Sequence, residues 1–171
     1  VYLFASRLDL QLPRFFSWRP DPSVLAMDAF LQDWSKEKGY AFLLFAMILR
    51  MCAQVRRQKA DLVVVTPEWR SQVWFPVVME LCWDFPILLP LRPDLLSNQA
   101  GNPHQMLMDG QLLLMAWKFT GNAGRSQDFR NMLNPRFAAL GQTAPSTGTS
   151  QLGTNGFVGA SRGVCIPWGH V

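Results

Sequence analysis

The sequence predicts an α/β fold: a sheet with flanking helices, followed by a flexible C-terminal linker. Three observations lead there. Residues 62–66 and 86–91 are nearly continuous apolar runs bounded by prolines, the pattern of strands buried on both faces. Between the early runs, Ile48, Met51, Cys52 and Val55 recur at helical spacing with Arg50, Gln54, Arg57 and Gln58 on the other side, which is an amphipathic helix. Finally, residues 134–171 are rich in Gly, Ser, Thr and Pro and hold too few large apolar side chains to offset the entropy of ordering. Apolar strands separated by helices make a parallel sheet of Rossmann-like type.

The elements follow in order. Residues 1–5 are apolar, β-branched and aromatic, and predict a buried strand. Residues 8–22 are loop, since Pro13, Pro20 and Pro22 break any helix, with Phe15, Phe16 and Trp18 pinning it to the core. Residues 23–30 predict a helical turn leading into a brief strand at 28–30. After a polar turn at 35–39, residues 40–42 form the next strand and residues 46–59 the amphipathic helix. The 62–66 strand ends at Pro67, and residues 72–83 suit a helix if Pro76 falls in its first turn. Residues 86–91 are a strand, 94–103 a loop, 112–117 a short strand or helix, and 125–133 a modest helix. The resulting organisation is an α/β domain over 1–93, an extension of it over 94–133, and the linker over 134–171. No internal repeat is present.

Composition narrows the function classes. With 171 residues, 49% of them hydrophobic, the chain can bury one core. Its charged fraction of 16% and mean hydropathy of +0.06 are those of a chain with former interdomain surface on its outside. The net charge of +4 is compatible with nucleic acid but too mild to establish it. Arg56, Arg57 and Lys59 form the densest basic cluster, and solvated helix ends explain such a cluster more simply than a phosphate grip. Cys52, Cys82 and Cys165 are widely separated, with no CxxC pair, and only His104 and His170 supply imidazoles. Neither a disulfide framework nor a metal site is expected, and a reducing, intracellular compartment, nuclear or cytoplasmic, is. The longest apolar run, residues 41–49, is far shorter than the ~18 residues of a membrane span. Because the chain opens on Val1 with strand-like residues and has no signal peptide, the start of the polypeptide is expected upstream.

Several short segments carry a resemblance. They are Tyr2-Leu3-Phe4-Ala5-Ser6-Arg7-Leu8, Gln11-Leu12-Pro13-Arg14-Phe15, Ser17-Trp18-Arg19-Pro20-Asp21-Pro22, Met27-Asp28-Ala29-Phe30, Ala41-Phe42-Leu43-Leu44-Phe45, Val63-Val64-Val65-Thr66-Pro67-Glu68-Trp69 and Trp74-Phe75-Pro76, with Met115 to Gly121 and Thr154 to Pro167 further on. In order and spacing they resemble the pol polyprotein of DIRS-type, tyrosine-recombinase retrotransposons, between the RNase H domain and the recombinase. That region is similar to a degenerate phage-type Dam DNA adenine methyltransferase. The resemblance implies a methyltransferase-type sheet, neighbouring polyprotein domains as partners, and a setting of DNA binding and DNA recombination.

Adenine methylation requires the exocyclic amine to attack the sulfonium methyl of S-adenosylmethionine. The family's motif therefore carries an Asp or Asn and two prolines, whose side-chain and carbonyl oxygens accept hydrogen bonds from the amine, and an aromatic ring that stacks on the flipped base. The resemblance places Phe42 at the acid, Leu43 and Leu44 at the prolines and Phe45 at the ring, so only the stacking ring remains. Tyr2 falls where an acidic residue would stand near the cofactor, leaving Asp28 or Asp33 as alternative acids, although acids in such places are more often simply solvated. Trp69 and Trp74 form an aromatic element after the 62–66 strand, able to face nucleic acid or to pack a loop on the sheet. Ser6, Ser17 and Ser35 have no histidine nearby in sequence, and the glycines at 153, 156, 159 and 163 lack the Lys-Ser or Lys-Thr ending of a phosphate loop.

The resemblance, with the missing acceptor at Phe42, implies a noncatalytic, methyltransferase-like fragment of a retrotransposon polyprotein, with a structural or nucleic-acid-binding accessory role and neither cofactor nor metal expected. The alternatives are a working DNA adenine methyltransferase using S-adenosylmethionine, and a relic open reading frame without function.

Overall fold

The computed structural model describes residues 1–5, 12–97 and 102–139, and the backbone of three further strands between 157 and 170; side chains beyond residue 133 are not described. Two short strands come first, β1 (Phe16–Ser17) and β2 (Ala26–Met27), followed by β3 (Lys38–Phe42), helix α1 (Ile48–Gln58), β4 (Asp61–Pro67), α2 (Phe75–Leu81) and β5 (Ile87–Leu88). After these come α3 (Gln105–Met108), β6 (Leu114–Thr120), α4 (Ala123–Ala139), β7 (Phe157–Ser161), β8 (Val164–Pro167) and β9 (Gly169–His170).

The main sheet has the order β3-β4-β6-β5-β9. Strand β3 pairs with β4 in parallel, and β5 pairs with β9 in parallel, while β6 is antiparallel to both β4 and β5. The fold is therefore α/β with a mixed sheet, and the wholly parallel sheet expected from the apolar runs is corrected: β6 inserts between β4 and β5. Beyond β3 the sheet continues through Tyr2, which bridges to Tyr40 on one side and Phe15 on the other. The Leu3 N–H donates to the Tyr40 carbonyl at 2.9 Å, and the Tyr40 N–H donates to the Val1 carbonyl at 2.8 Å.

All the long helices lie on one face. Ile48, Met51, Cys52 and Val55 of α1, Phe75, Val78 and Met79 of α2, and Phe129 and Leu133 of α4 share a single core with Leu62 and Val64 of β4 and Met115, Trp117 and Phe119 of β6. On the other face, Val65 and Leu114 lie under Leu95, Leu96 and Leu112 from the segment between β5 and β6. That cover is partial. Val63 is 43% exposed although it sits mid-strand, in register with Tyr40 and Lys118. An all-apolar strand read as doubly buried thus has one solvated position, because the second face is covered by a loop and not by helices.

Local chemistry explains the other departures. Residues 28–30 are not a strand; the strand precedes them at Ala26–Met27, and Ala29–Leu31 is a 3₁₀ turn. The Asp28 carboxylate accepts the Phe30 N–H at 3.0 Å and caps that turn, with its own backbone at φ 49°. Asp33 caps the Trp34–Lys36 turn in the same way. Phe15 and Phe16 are buried as expected, but Trp18 is 70% exposed, with the Arg19 guanidinium 4.4 Å from its ring centre. Helix α1 begins after a 3₁₀ turn at Phe45–Met47 and stops at Lys59, which takes the left-handed conformation at φ 53°. Pro76 does lie in the first turn of α2.

The segment after Trp83 holds further differences. Strand β5 is two residues long, and of residues 112–117 those from Leu114 on form the start of β6, a strand and not a helix. Helix α4 begins two residues earlier than expected and runs to Ala139, past the start of the stretch expected to be linker, and β9 joins the main sheet through β5. The centre of that stretch, residues 141–150, lies outside the described residues, as do residues 8–11 and 98–101 of the predicted loops. No helix among the described residues is long and apolar enough to cross a membrane.

Candidate functional site

Because β3 and β4 are neighbouring parallel strands, the segments that follow them leave the sheet from one edge. Open α/β sheets place ligands at this carboxyl edge. It brings together Phe42-Leu43-Leu44-Phe45 after β3 and Pro67-Glu68-Trp69-Arg70 after β4. Phe45 and Trp69 meet edge to face, ring centroids 4.9 Å apart and planes 80° to each other. Both rings are half-buried.

The side chains of Phe42 to Phe45 supply no base. Phe42 is half-buried against Val65, Leu112 and Leu114, Leu43 is buried in the helix-side core, and Leu44 is 75% exposed. The Leu44 carbonyl accepts the Met47 N–H at 2.8 Å, and the Phe45 carbonyl accepts the Ile48 N–H, so both oxygens are engaged in the 3₁₀ turn. The carboxylate at this edge is that of Glu68, which is ion-paired with Arg70.

The remaining sequence candidates divide. Tyr2 is 2% exposed, its ring centroid 4.9 Å from that of Tyr40, and it serves the sheet. Asp28 and Asp33 are turn caps. The Ser35 hydroxyl and N–H, which both donate to Asp33, hold its carboxyl below the usual carboxylate range. Trp74 is 5% exposed and belongs to the core, with its centroid 5.9 Å from that of Phe75. Arg56 pairs with Glu80 at 2.5 Å, Arg57 donates to the Gln54 side chain, and Lys59 ends α1. These three lie one helix length from Phe45, about 16 Å for eleven residues. The structure therefore joins Phe42–Phe45 with Trp69 and places Arg56, Arg57 and Lys59 at the opposite edge.

That opposite edge holds residues the sequence did not single out. Arg125 and Lys118 flank Trp83, at 3.9 Å and 5.7 Å from its ring, and pair with Asp61 at 2.5 Å and Asp84 at 2.6 Å. Lys118 holds the Asp84 carboxyl below its ordinary range, against partial burial that pushes it up. The sequence signal was faint, since the four partners come from separate segments.

Cys52 and Cys82 are buried, and burial pushes both thiols up to about 12 from an ordinary 9.0. The Cys165 side chain lies outside the described residues. A folded pKa above the unfolded one means that the protonated thiols favour the fold fully below pH ~8 and lose that contribution as pH rises from about 9 toward 12. Neither thiol is expected to alkylate in the native chain at pH ~8, and both should do so in denaturant. Labelling of Cys52 or Cys82 without denaturant, read by peptide mass, would contradict this burial. Among the described residues no group of three His, Cys, Asp or Glu side chains converges on a metal position. Compared with protein-family models, with curated proteins and with solved structures, the chain matches none.

Proposed function

We propose that this chain is a noncatalytic, methyltransferase-like module of a retrotransposon polyprotein, accessory to the domains beside it. The observation that supports this most is at the carboxyl end of β3: Phe42, Leu43 and Leu44 offer no acceptor for an amine, and Phe45 is engaged by Trp69. A lost hydrogen-bonding group of that kind costs on the order of a hundredfold or more in rate, and here the acid and both prolines are absent together. The link to methyltransferases is an analogy of sequence order and of α/β architecture, and function rests on the residues at the edge.

The test is methyl transfer from labelled S-adenosylmethionine to an adenine-containing duplex. Transfer is expected to stay at the level without protein. It is expected to stay there also for the F42D/L43P/L44P variant, because Tyr2 remains buried where an acid would be needed. Transfer above background by the unaltered chain would end this reading in favour of the adenine methyltransferase.

A further inference from the structure

The amino edge of the sheet gathers cations from three separate segments. There β3 and β4 begin side by side, with Lys38 in register with Asp61. The end of α1 is tied to the same place: the Ala60 N–H donates to the Val55 carbonyl at 3.2 Å, and the Gly121 N–H donates to the Ala60 carbonyl at 2.9 Å. Gln58 draws in the preceding segment, accepting the Trp34 N–H at 2.6 Å and donating to the Gln32 carbonyl at 2.9 Å. Lys36, Lys38, Arg56, Arg57, Lys59 and Arg125 thus share one edge.

Three of the six have carboxylate partners, Lys36 with Asp33, Arg56 with Glu80 and Arg125 with Asp61. Glu37 is taken by Arg14 at 2.7 Å. Lys38, Arg57 and Lys59 form no ion pair among the described residues, and all three are exposed. The partial negative charge at the end of α1 accounts for Arg56 and Arg57, but not for Lys38, which opens a strand. Asn122, exposed among these cations, carries an amide NH2 of the kind that donates to phosphate and sugar oxygens.

We propose that the amino edge, through Lys38, Arg57 and Lys59, binds the phosphate backbone of nucleic acid without reading its sequence. This deepens the accessory role proposed above by assigning its surface, and it moves the contact away from Trp69 and Trp74. Since Trp83 is already flanked by Arg125 and Lys118, binding here rests on charge and not on base stacking, and a duplex binds at least as tightly as a single strand of the same length.

The experiment compares three forms of the full chain on a short DNA duplex over a range of salt. They are the unaltered chain, K38Q/R57Q/K59N, and a control with the same loss of charge elsewhere, R19Q/R50Q/R92Q. Asn at position 59 tolerates the left-handed backbone. The edge variant is expected to bind at least tenfold more weakly at low salt, with a salt slope smaller by about 3, while the control keeps a slope within about 1 of the unaltered chain. Equal losses in both variants, or no salt-sensitive binding by the unaltered chain, would overturn the proposal. So would edge-dependent binding to phosphatidylserine vesicles without binding to DNA, for which Leu31, 78% exposed beside Gln32, would be the apolar anchor. If the edge variant does not fold, acetylation of the unaltered chain decides: DNA should protect Lys38 and Lys59, and unchanged labelling would overturn the assignment. No cofactor enters these measurements, so methyl-transfer activity would remove the noncatalytic reading and leave this one standing.

Discussion

Replacing Trp117 with alanine is expected to lower the unfolding free energy by about 3–5 kcal/mol, among the largest effects of a single truncation at the described residues. Trp117 is fully buried on β6, with Phe75 of α2 meeting its ring edge to face at 5.8 Å and Phe119 at 6.4 Å. Its indole N–H donates to the Thr66 hydroxyl at 2.9 Å, and Thr66 is itself fully buried. The substitution thus opens a cavity between α2 and the sheet and removes the donor to a buried hydroxyl on the neighbouring strand. At this size the loss corresponds to a Tm lower by roughly 6–20 °C. Replacing Trp18, 70% exposed, with alanine is the contrast, expected to fall within about 0.5 kcal/mol. Thermal unfolding followed by circular dichroism measures both, and similar values for the two would contradict the core described here.

The second large effect is steric. A Cβ at Gly121 would lie 2.1 Å from the Val55 carbonyl oxygen and 2.6 Å from the Lys59 Cα, both backbone atoms of the α1 terminus. Neither can step aside without disturbing the junction of α1, β4 and β6, so Gly121→Ala is expected to cost about 3 kcal/mol. Gly39→Ala looks similar by distance, with Leu62 Cδ2 at 2.4 Å, but there the obstruction is the tip of a side chain. A rotamer change relieves it, and the cost is expected to be about 1 kcal/mol. Chemical denaturation of the two variants should therefore rank Gly121→Ala well below Gly39→Ala in stability. The reverse order would mean that the β6–α4 turn is not pressed against the end of α1.

The parts legible in the sequence were those fixed by local pattern. Helix α1 declared itself because Ile48, Met51, Cys52 and Val55 recur on one side, and β4 because five consecutive β-branched or apolar residues end at a proline. Strand direction was not legible. Residues 112–117 are apolar in a way that fits either a strand or a short helix, and nothing local records that β6 runs against its neighbours. Asp28 was misplaced for a different reason: an acid beside an apolar run was weighed as a cofactor ligand, whereas its carboxylate and left-handed backbone serve to start a turn. Trp18 shows the limit of assigning large rings to the core, since a loop with Pro20 and Pro22 holds it outward under Arg19.

At the candidate site the sequence marked Phe45 and Trp69 only separately, and their contact follows from β3 and β4 being parallel neighbours. It could not indicate the separation of Trp69 from Arg56, Arg57 and Lys59. That separation follows from α1 running the length of the sheet between its two edges. The amino-edge cations were illegible for a related reason: Lys38, Lys59 and Arg125 are brought together by strand register and turn hydrogen bonds between distant segments.

The carboxyl edge is proposed to hold no cofactor, and calorimetric titration of the full chain with S-adenosylmethionine decides the point. With Tyr2 buried in the sheet, Asp28 capping a turn and Phe45 packed on Trp69, no saturable heat is expected from a sample shown to be folded by circular dichroism. Saturable, stoichiometric binding would contradict the claim and restore a cofactor site to this edge.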